Sequence, residues 1–179
     1  MMTIFLFFLL FCIFCLIIFL CSNIFYTFLL KVPMLSTNNT AIKKILRDID
    51  FSAANKFYDL GAGNGKLISH IAKRYPGLEC VGIEYNLVAY CCARLRNVFS
   101  RKKVIYRRGN FFEIDISDAN IIYTYLFPNI MNRLEIKFAR ELKKGTLVIV
   151  NSFPLKSREP KTIIQGKAGA LDTFYVYEY

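Results

Sequence analysis

Three glycines at alternate positions after a short apolar run constrain the fold of this chain more than any other feature. Residues 58–65 read Tyr-Asp-Leu-Gly-Ala-Gly-Asn-Gly, and residues 66–75 then have the pattern of a helix. This order predicts a strand, a tight turn and a helix, as at the start of a Rossmann-like sheet. Gly61, Gly63 and Gly65 have no side chains, so a ligand can approach the backbone of the turn closely. We therefore expect an α/β domain with a ligand site at its first turn.

Two acidic residues flank this turn and narrow the class of ligand. Glu84 follows a second apolar run, Cys80 to Ile83, and its carboxylate can accept two hydrogen bonds from a ribose diol. Asp59 stands two residues before the first glycine, where the pyrophosphate of a dinucleotide would meet an unfavourable negative charge. The third glycine comes one residue earlier than in the dinucleotide pattern G-x-G-x-x-G, and the chain has no P-loop pattern. These residues favour an adenosine-containing cation such as S-adenosylmethionine, and the alternative is that the glycines form only a tight loop.

The first thirty residues contain no Asp, Glu, Lys, Arg or His and consist mostly of Phe, Leu and Ile. As a helix, residues 3–30 would extend about 42 Å, which exceeds the hydrocarbon thickness of a bilayer, about 30 Å. A cleaved signal peptide fits poorly, because the apolar run is too long and has neither a preceding basic residue nor a following A-x-A site. The sequence predicts a single-pass membrane anchor.

Charge and cysteine content indicate the cellular compartment of the chain. The net charge of +11 lies entirely beyond the apolar segment, since Lys31 is the first charged residue. The positive-inside rule then places the N-terminus outside and the rest of the chain on the cytoplasmic, or matrix, side. Six scattered cysteines indicate a reducing compartment without a disulfide framework. Cys12 and Cys15 have the spacing of metal ligands, but they lie in the apolar run without partner ligands, so no metal site is predicted.

Residues 31–179 suffice for one domain in which predicted strands and helices alternate. A short helix capped by Thr40 is followed by strands at 57–60, 79–83, 103–107, 120–126, 146–150 and 172–179, with a possible short strand near 162–165. Longer helices are predicted at 65–75, 86–99 and 129–144, the last closed by Gly145. Helix 86–99 is expected to pack one apolar side into the core, formed by Leu87, Val88, Cys91, Cys92, Leu95 and Val98. The order predicts a mostly parallel sheet with an antiparallel C-terminal edge hairpin.

With these residues the domain resembles the class I S-adenosylmethionine-dependent methyltransferases over nearly all of residues 32–179. The family signature matches Asp59–Gly65, and the acidic residue that ends the second strand matches Glu84. The third strand ends in Gly109-Asn110-Phe111, so an amide replaces the carboxylate that usually accepts a bond from the adenine amino group; an amide oxygen can accept the same bond. The resemblance implies S-adenosylmethionine as cofactor, bound by Asp59, Gly61, Ala62, Gly63, Gly65, Glu84, Tyr85, Asn110 and Phe111.

Within this superfamily the chain is similar to the small membrane-anchored protein-lysine methyltransferases of mitochondria and their bacterial relatives. The motifs that carry this likeness are Ile83-Glu84-Tyr85-Asn86, Tyr125-Leu126-Phe127-Pro128 and Asp172-Thr173-Phe174-Tyr175-Val176-Tyr177. Together with the apolar first thirty residues, the sequence predicts a membrane anchor at 1–30, a linker and short helix at 31–50, and a methyltransferase domain at 51–179. Tyr125, at the end of the fourth strand, is expected to align the acceptor through its carbonyl or hydroxyl group; alternatively it is an ordinary strand aromatic.

A basic run between Arg94 and Arg108 leaves the acceptor class open. It has seven Lys or Arg residues and no acidic residue, interleaved with Phe99 and Tyr106, so RNA, anionic lipid and simple solvation are all compatible with it. The fourth strand has Tyr-Leu-Phe-Pro in place of the Asn/Asp-Pro-Pro-Tyr/Phe motif of base-amino methyltransferases, which disfavours a nucleic-acid substrate. We expect methylation of a lysine in a membrane or membrane-associated protein. Alternatives are a lipid or amphipathic small molecule, RNA, or cofactor binding without catalysis, and the oligomeric state is left open.

Overall fold

The computed structural model of the protein describes residues 2–30, 37–100, 103–166 and 169–179. The chain divides into two compact units, Met1–Met34 and Leu35–Tyr179. The first unit contains the helix α1 (Met2–Leu30), whose described side chains, residues 3–21, are all exposed. Within the described residues, α1 is the one helix that is long and apolar enough to cross a membrane, over Thr3–Cys21.

In its described residues, the second unit is a seven-stranded sheet flanked by four helices. Its elements, in chain order, are α2 (Asn39–Asp48), β1 (Lys56–Leu60), α3 (Lys66–Arg74), β2 (Glu79–Glu84), α4 (Leu87–Ser100), β3 (Val104–Arg108), β4 (Ile121–Thr124), α5 (Pro128–Glu141), β5 (Leu147–Asn151), β6 (Thr162–Gly166) and β7 (Gly169–Glu178). The strand order is β3-β2-β1-β4-β5-β7-β6. The strands β1 to β5 pair in parallel, whereas β7 is antiparallel to both β5 and β6. The predicted Rossmann-like sheet with an antiparallel C-terminal hairpin is confirmed.

Alternate residues of the strands enter two separate cores, because successive side chains of a strand point to opposite faces of a sheet. In β1, Phe57 packs into the first core and Tyr58 into the second. The helices α2, α3 and α4 cover the first core, through residues such as Ile42, Ile68 and Ala93. The second core is covered by α5, through Met131, Leu134 and Phe138.

The strand order reverses at β1, which lies between β2 and β4. In open α/β sheets, ligands bind in the crevice outside the carboxyl ends of the strands at such a switch point. The glycine turn follows β1 there, Glu84 ends β2, and Asn110 and Tyr125 follow β3 and β4. The topology therefore brings the predicted site residues to one edge of the sheet.

The predicted orientation of α4 is wrong. Leu87, Leu95 and Val98 are exposed, and so are both cysteines of the predicted apolar side, Cys91 and Cys92. The helix instead buries Ala89 and Ala93. Ala93 comes so close to the glycine turn that its Cβ would lie 3.1 Å from a Cβ placed on Gly65. Only small side chains fit on this face of α4, so its larger apolar residues point outward.

Three element ends also differ from the predictions. The α2 N-cap is Asn38, not Thr40, and its side chain accepts the Ala41 N–H at 2.8 Å. The strand β4 ends at Thr124, and α5 ends at Glu141, before the expected boundary. Gly145 therefore does not close α5. It has a positive φ of 90° in the turn before β5, where its N–H donates to the carbonyl oxygen of Tyr179 at 2.5 Å.

Candidate cofactor and active site

The glycine turn is tied to the end of β2 by its own backbone. The N–H groups of Gly61 and Ala62 both donate to the carbonyl oxygen of Ile83, at 2.9 and 3.0 Å. Ala62 is buried, and Gly61, Gly63 and Gly65 all have positive φ angles, of 80°, 56° and 71°. The turn is thus held in a conformation that side-chain-bearing residues rarely adopt.

The last two of these glycines face different surroundings. A Cβ on Gly65 would stand 2.1 Å from the hydroxyl oxygen of Tyr106, which itself lies 3.4 Å from the Gly65 carbonyl oxygen. A Cβ on Gly63 would have no neighbouring atom within 4 Å. Packing therefore excludes a side chain at Gly65, whereas at Gly63 the backbone borders open space that a ligand can occupy.

Glu84 links the glycine turn to the start of α4. Its Oε2 atom accepts the Gly63 N–H at 2.8 Å, and its Oε1 atom accepts the Asn86 N–H at 2.7 Å. Burial raises the pKa of Glu84, and backbone hydrogen bonds from Asn86, Gly63 and Tyr85 offset part of this rise. A carboxylate has about four acceptor positions, and these three backbone donors leave one of them, so Glu84 can still accept a hydrogen bond from a diol. Tyr85, the next residue, is 40% exposed.

Asp59 is an acidic residue of the site whose side chain is buried. It lies within β1, its residue is 3% exposed, and no donor among the described residues hydrogen-bonds to it. Burial raises the pKa of Asp59 to about 8, and the nearby charge of Glu84 adds to this rise. Burying a carboxylate without a partner is costly, so this position favours a cation that would pair with it.

Asn110 begins the loop that follows β3. Its Oδ1 atom accepts the Phe112 N–H at 3.1 Å, and its Nδ2 atom donates to Glu113 at 2.8 Å. The Gly109 N–H donates to the Glu84 carbonyl oxygen at 3.1 Å, which connects this loop to β2. Phe111 is half-buried, and its ring lies 4.7 Å from that of Phe112. One lone pair of Asn110 Oδ1 is left for a ligand donor such as an amino group.

Residues of α5 that the sequence did not reveal as part of the site contact this loop. Lys137 is buried and donates to the Ile114 carbonyl oxygen at 2.8 Å and to Glu141 at 2.5 Å. Arg133 lies 4.1 Å from the centre of the Phe112 ring. These residues are four apart on one helix face, but a spacing of this kind does not reveal that the face meets a loop.

Tyr125 lies at the same edge of the sheet, directly after β4. It is half-buried and packs against the first core. The residue before it, Thr124, is fully buried, and its hydroxyl oxygen has no hydrogen-bond partner within the described chain. Hydrogen bonds join Gly63, Glu84 and Gly109 directly, whereas Tyr125 stands on the opposite side of β1 from that network. At this edge of the sheet, hydrogen bonds therefore join the residues on the β2 side of β1, and Tyr125 lies on the β4 side.

Another residue that the sequence interpretation did not assign to the site is Tyr106. It appeared only as an aromatic within a basic run, but it is buried against the turn, next to Gly65 and Gly82. A Cβ on Gly82 would lie 2.9 Å from the Tyr106 ring. A glycine inside a strand signals such a close approach, so Gly82 carried the clue.

Comparison with known proteins agrees with this geometry. Residues 59–162 match the ANTKMT methyltransferase domain family. A protein-lysine N-methyltransferase of Saccharolobus islandicus (strain REY15A) is 32% identical over 151 residues, which cover 82% of this chain and 92% of the relative. The adenine nucleotide translocase lysine N-methyltransferase of Mus musculus is 26% identical over 138 residues, which cover 75% of this chain and 59% of the relative.

Among solved structures, an RNA methyltransferase from Salinibacter ruber in complex with S-adenosyl-L-homocysteine superimposes with a TM-score of 0.74. It is 26% identical in sequence, and the match covers 80% of this chain and 93% of that one. The chain therefore belongs to the ANTKMT methyltransferase domain family and is an S-adenosylmethionine-dependent methyltransferase whose relatives include protein-lysine N-methyltransferases.

Proposed function

We propose that this enzyme methylates a lysine of a protein that lies in or at the membrane in which α1 is anchored. The observation that carries the cofactor half of this proposal is the buried carboxyl group of Asp59, which has no hydrogen-bond donor among the described residues, in the strand that leads to the open backbone of Gly63. A cation placed there offsets the cost of burying Asp59. The sulfonium and ammonium groups of S-adenosylmethionine fit that requirement.

In this proposal, the other site residues contact the remaining parts of the cofactor. Glu84 accepts a hydrogen bond from the ribose diol at its remaining acceptor position, and Asn110 Oδ1 accepts one from the adenine amino group. Phe111 and the half-exposed Tyr85 border the adenosine. Gly61, Ala62 and Gly65 shape the turn so that Gly63 can be approached. When bound, the cofactor supplies an activated methyl group, so the protein mainly has to bind and orient the reactants.

The acceptor lysine enters from the side that Tyr125 borders. Its amine has a pKa of about 10.4 in water and must lose a proton to water before its nitrogen can attack. The attack on the methyl carbon has to be in line with the sulfur–methyl bond. An apolar surrounding close to a positive charge favours the neutral amine. In the proposal, Tyr125 aligns that amine through its backbone carbonyl or its hydroxyl group.

Membrane anchoring rests on α1 and on the charge distribution. The span Thr3–Cys21 has the length and composition of a membrane-crossing helix. All 24 Lys and Arg residues of the chain lie beyond Leu30, so the positive-inside rule favours the cytoplasmic or matrix side for the catalytic domain. The name of the mouse relative gives a translocase as its lysine substrate, which supports a protein acceptor. Tethering raises the effective concentration of any acceptor in the same bilayer.

The experiment combines full-length enzyme in detergent, S-adenosylmethionine with a tritiated methyl group, and membranes from cells that lack the enzyme. Products are separated into protein, lipid and RNA, and the labelled protein is hydrolysed to detect methyl-lysine. Methyl-lysine in one protein band, absent with an Asp59→Ala variant, is the expected result. The Salinibacter ruber similarity makes RNA the second class to examine. Label confined to RNA or lipid would overturn the protein acceptor, and cofactor binding without any transfer would overturn catalysis on membranes.

A further inference from the structure

The helix α4 carries a stripe of apolar side chains that faces solvent. The stripe consists of Leu87, Cys91, Leu95 and Val98, with Leu87, Leu95 and Val98 exposed to 44%, 58% and 71% and Cys91 also exposed. Their spacing places them on one face of the helix, since side chains at i, i+4, i+8 and i+11 share a face. A row of four exposed apolar side chains on one helix face is a candidate interaction surface.

The sequence that contains the stripe is basic. Residues 87–108 contain no acidic residue and seven basic ones, which are Arg94, Arg96, Arg101, Lys102, Lys103, Arg107 and Arg108. Arg94 donates to the Tyr90 hydroxyl oxygen at 3.0 Å and Arg96 to the Asn64 carbonyl oxygen at 3.0 Å. Both acceptors are neutral, so the positive charges of Arg94 and Arg96 are not compensated within the described chain.

We propose that α4 lies along the surface of an anionic lipid bilayer, with the stripe inserted among the acyl chains and the flanking basic side chains at the lipid phosphates. Apolar residues on one face and Lys or Arg beside them are the features of helices that lie in the membrane interface. Long basic side chains can cover apolar surface while their charges reach the headgroups. The 14 residues of α4 would lie along about 21 Å of the surface.

The alternative occupant is RNA, and the side chains argue against it. Binding of single-stranded RNA relies on exposed aromatic rings on which bases stack. Of the aromatic side chains that the structure describes within residues 87–108, Tyr106 is buried, and Tyr90 is partly buried and bonded to Arg94. The exposed residues of the stripe are aliphatic or cysteine, which suit acyl chains and offer nothing to a base. The observations therefore favour lipid.

This arrangement would place the cofactor site next to the bilayer. The N-terminus of α4 follows Tyr85 and Asn86, and the Asn86 N–H donates to Glu84. A lysine close to the lipid headgroups would then be within reach of the site. The inference goes beyond the proposed function and rests on it only for the presence of the chain at a membrane.

The test uses a fluorophore sensitive to water, attached to a single exposed cysteine in the full-length chain. The native exposed cysteines, Cys12, Cys15, Cys21, Cys91 and Cys92, are first replaced by alanine. Val98→Cys reports on the stripe. Ile136→Cys is the matched control, because Ile136 lies on α5 and is exposed to 70%, against 71% for Val98. Both proteins are placed in nanodiscs of phosphatidylcholine, with or without phosphatidylglycerol, after calorimetry with S-adenosylhomocysteine has shown that they fold.

The expected result is a blue shift and loss of iodide quenching for the Val98→Cys label in the anionic discs, with no change for the Ile136→Cys label. Equal quenching of the two labels in anionic discs would overturn the inference, as would protection by added RNA but not by lipid. A Leu95→Cys label gives a second measurement of the same stripe. If the chain does not enter the discs, the anchoring proposal fails separately, and the same comparison with anionic vesicles then decides the role of α4.

Discussion

At the scale of single residues, burial of the Asp59 carboxyl group makes the stability of the protein depend on pH. The pKa of this buried carboxyl group is raised from an ordinary value of 3.8 to about 8. Between these two values the folded chain holds a proton that the unfolded chain has released. Stability therefore falls as pH rises through this window, by at most about 1.4 kcal/mol per pH unit, and no longer changes above about pH 8. The pKa of Glu84 is also raised, which adds a slope of the same sign.

An Asp59→Asn variant should have opposite effects on the stability of the ligand-free protein and on its affinity for the cofactor. We expect the ligand-free variant to be more stable than the native protein at pH 7 by about 1–3 kcal/mol, because Asn, unlike Asp59, does not have to take up a proton on folding. Its thermal midpoint should also depend less on pH between 5 and 8. Its affinity for S-adenosylmethionine should fall at least about tenfold, or 1.4 kcal/mol, since the partner of the cation is lost.

Circular dichroism melts at several pH values and calorimetry with the cofactor provide the two measurements for this variant. Ser69→Ala, at a buried site on α3, serves as the control for a general effect of substitution near the turn. Unchanged affinity in Asp59→Asn would remove this residue from the cofactor site. A pH slope identical to that of the native protein would show that Asp59 is ionised in the folded state.

Gly63 and Gly65 should respond differently to substitution although both have positive φ angles. Gly63→Ala should cost only the backbone strain, about 1–2 kcal/mol, because no atom lies within 4 Å of the added Cβ. Gly65→Ala should cost about 2–5 kcal/mol, since the added Cβ also meets the Tyr106 hydroxyl oxygen at 2.1 Å. Gly63→Arg should remain folded and lose cofactor binding, because its side chain fills the open space.

Thermal melts rank the three glycine variants, and calorimetry measures their cofactor affinity. The informative pair is Gly63→Arg with Gly63→Ala, since both carry the strain and only one fills the space. Native affinity in Gly63→Arg would mean that the ligand approaches elsewhere.

At the scale of secondary-structure elements, α5 supports the loop that carries Asn110 and Phe111. Burial alone would raise the pKa of Glu141, but hydrogen bonds from Arg140 and Lys137 lower it below its ordinary value. The ionised Glu141 accepts from the Ile116 N–H at 3.4 Å, while Lys137 bonds to the Ile114 carbonyl oxygen. Two helix residues thus fix two points of the loop.

Lys137→Met should destabilise the protein by about 3 kcal/mol, because Glu141 loses its buried partner. It should also weaken cofactor affinity by about threefold to tenfold, since the loop must then be ordered on binding. Lys144→Met, at an exposed position beyond α5, should change stability by less than about 0.5 kcal/mol. Melting temperatures and cofactor affinities of the two variants are compared side by side. Equal affinities would limit Lys137 to a structural role.

The elements themselves were predictable from sequence, and their surroundings only in part. Strands β1 and β2 are short apolar runs bounded by turn residues, and these signals are local. The periodicity of α4 identified an apolar face, but it could not show that this face points outward. That depends on Ala89 and Ala93, whose small size lets α4 approach the glycine turn. The bonds from α5 to the loop join residues more than twenty positions apart, for which a single sequence contains no local signal.

At the scale of the whole molecule, apolar and charged residues are strictly divided along the chain. Residues 1–30 carry no charge, and the entire net charge of +11 belongs to the remainder. The compact unit Leu35–Tyr179 contains every residue of the proposed cofactor site. Anchoring and cofactor binding are therefore expected to be separable.

Removal of residues 1–34 should leave the cofactor affinity within about twofold of the native value, because no proposed cofactor ligand is lost. Methyl transfer to an acceptor in intact membranes should fall by about 10²–10⁴-fold, the range over which tethering raises effective concentration. Raised salt screens the basic residues of α4 and of the segment that follows it, so the comparison then isolates the contribution of α1. In membranes dissolved by detergent, where tethering has no effect, the full-length and shortened chains should transfer methyl groups at equal rates. Equal rates in intact membranes at raised salt would show that α1 does not bring the enzyme to its acceptor.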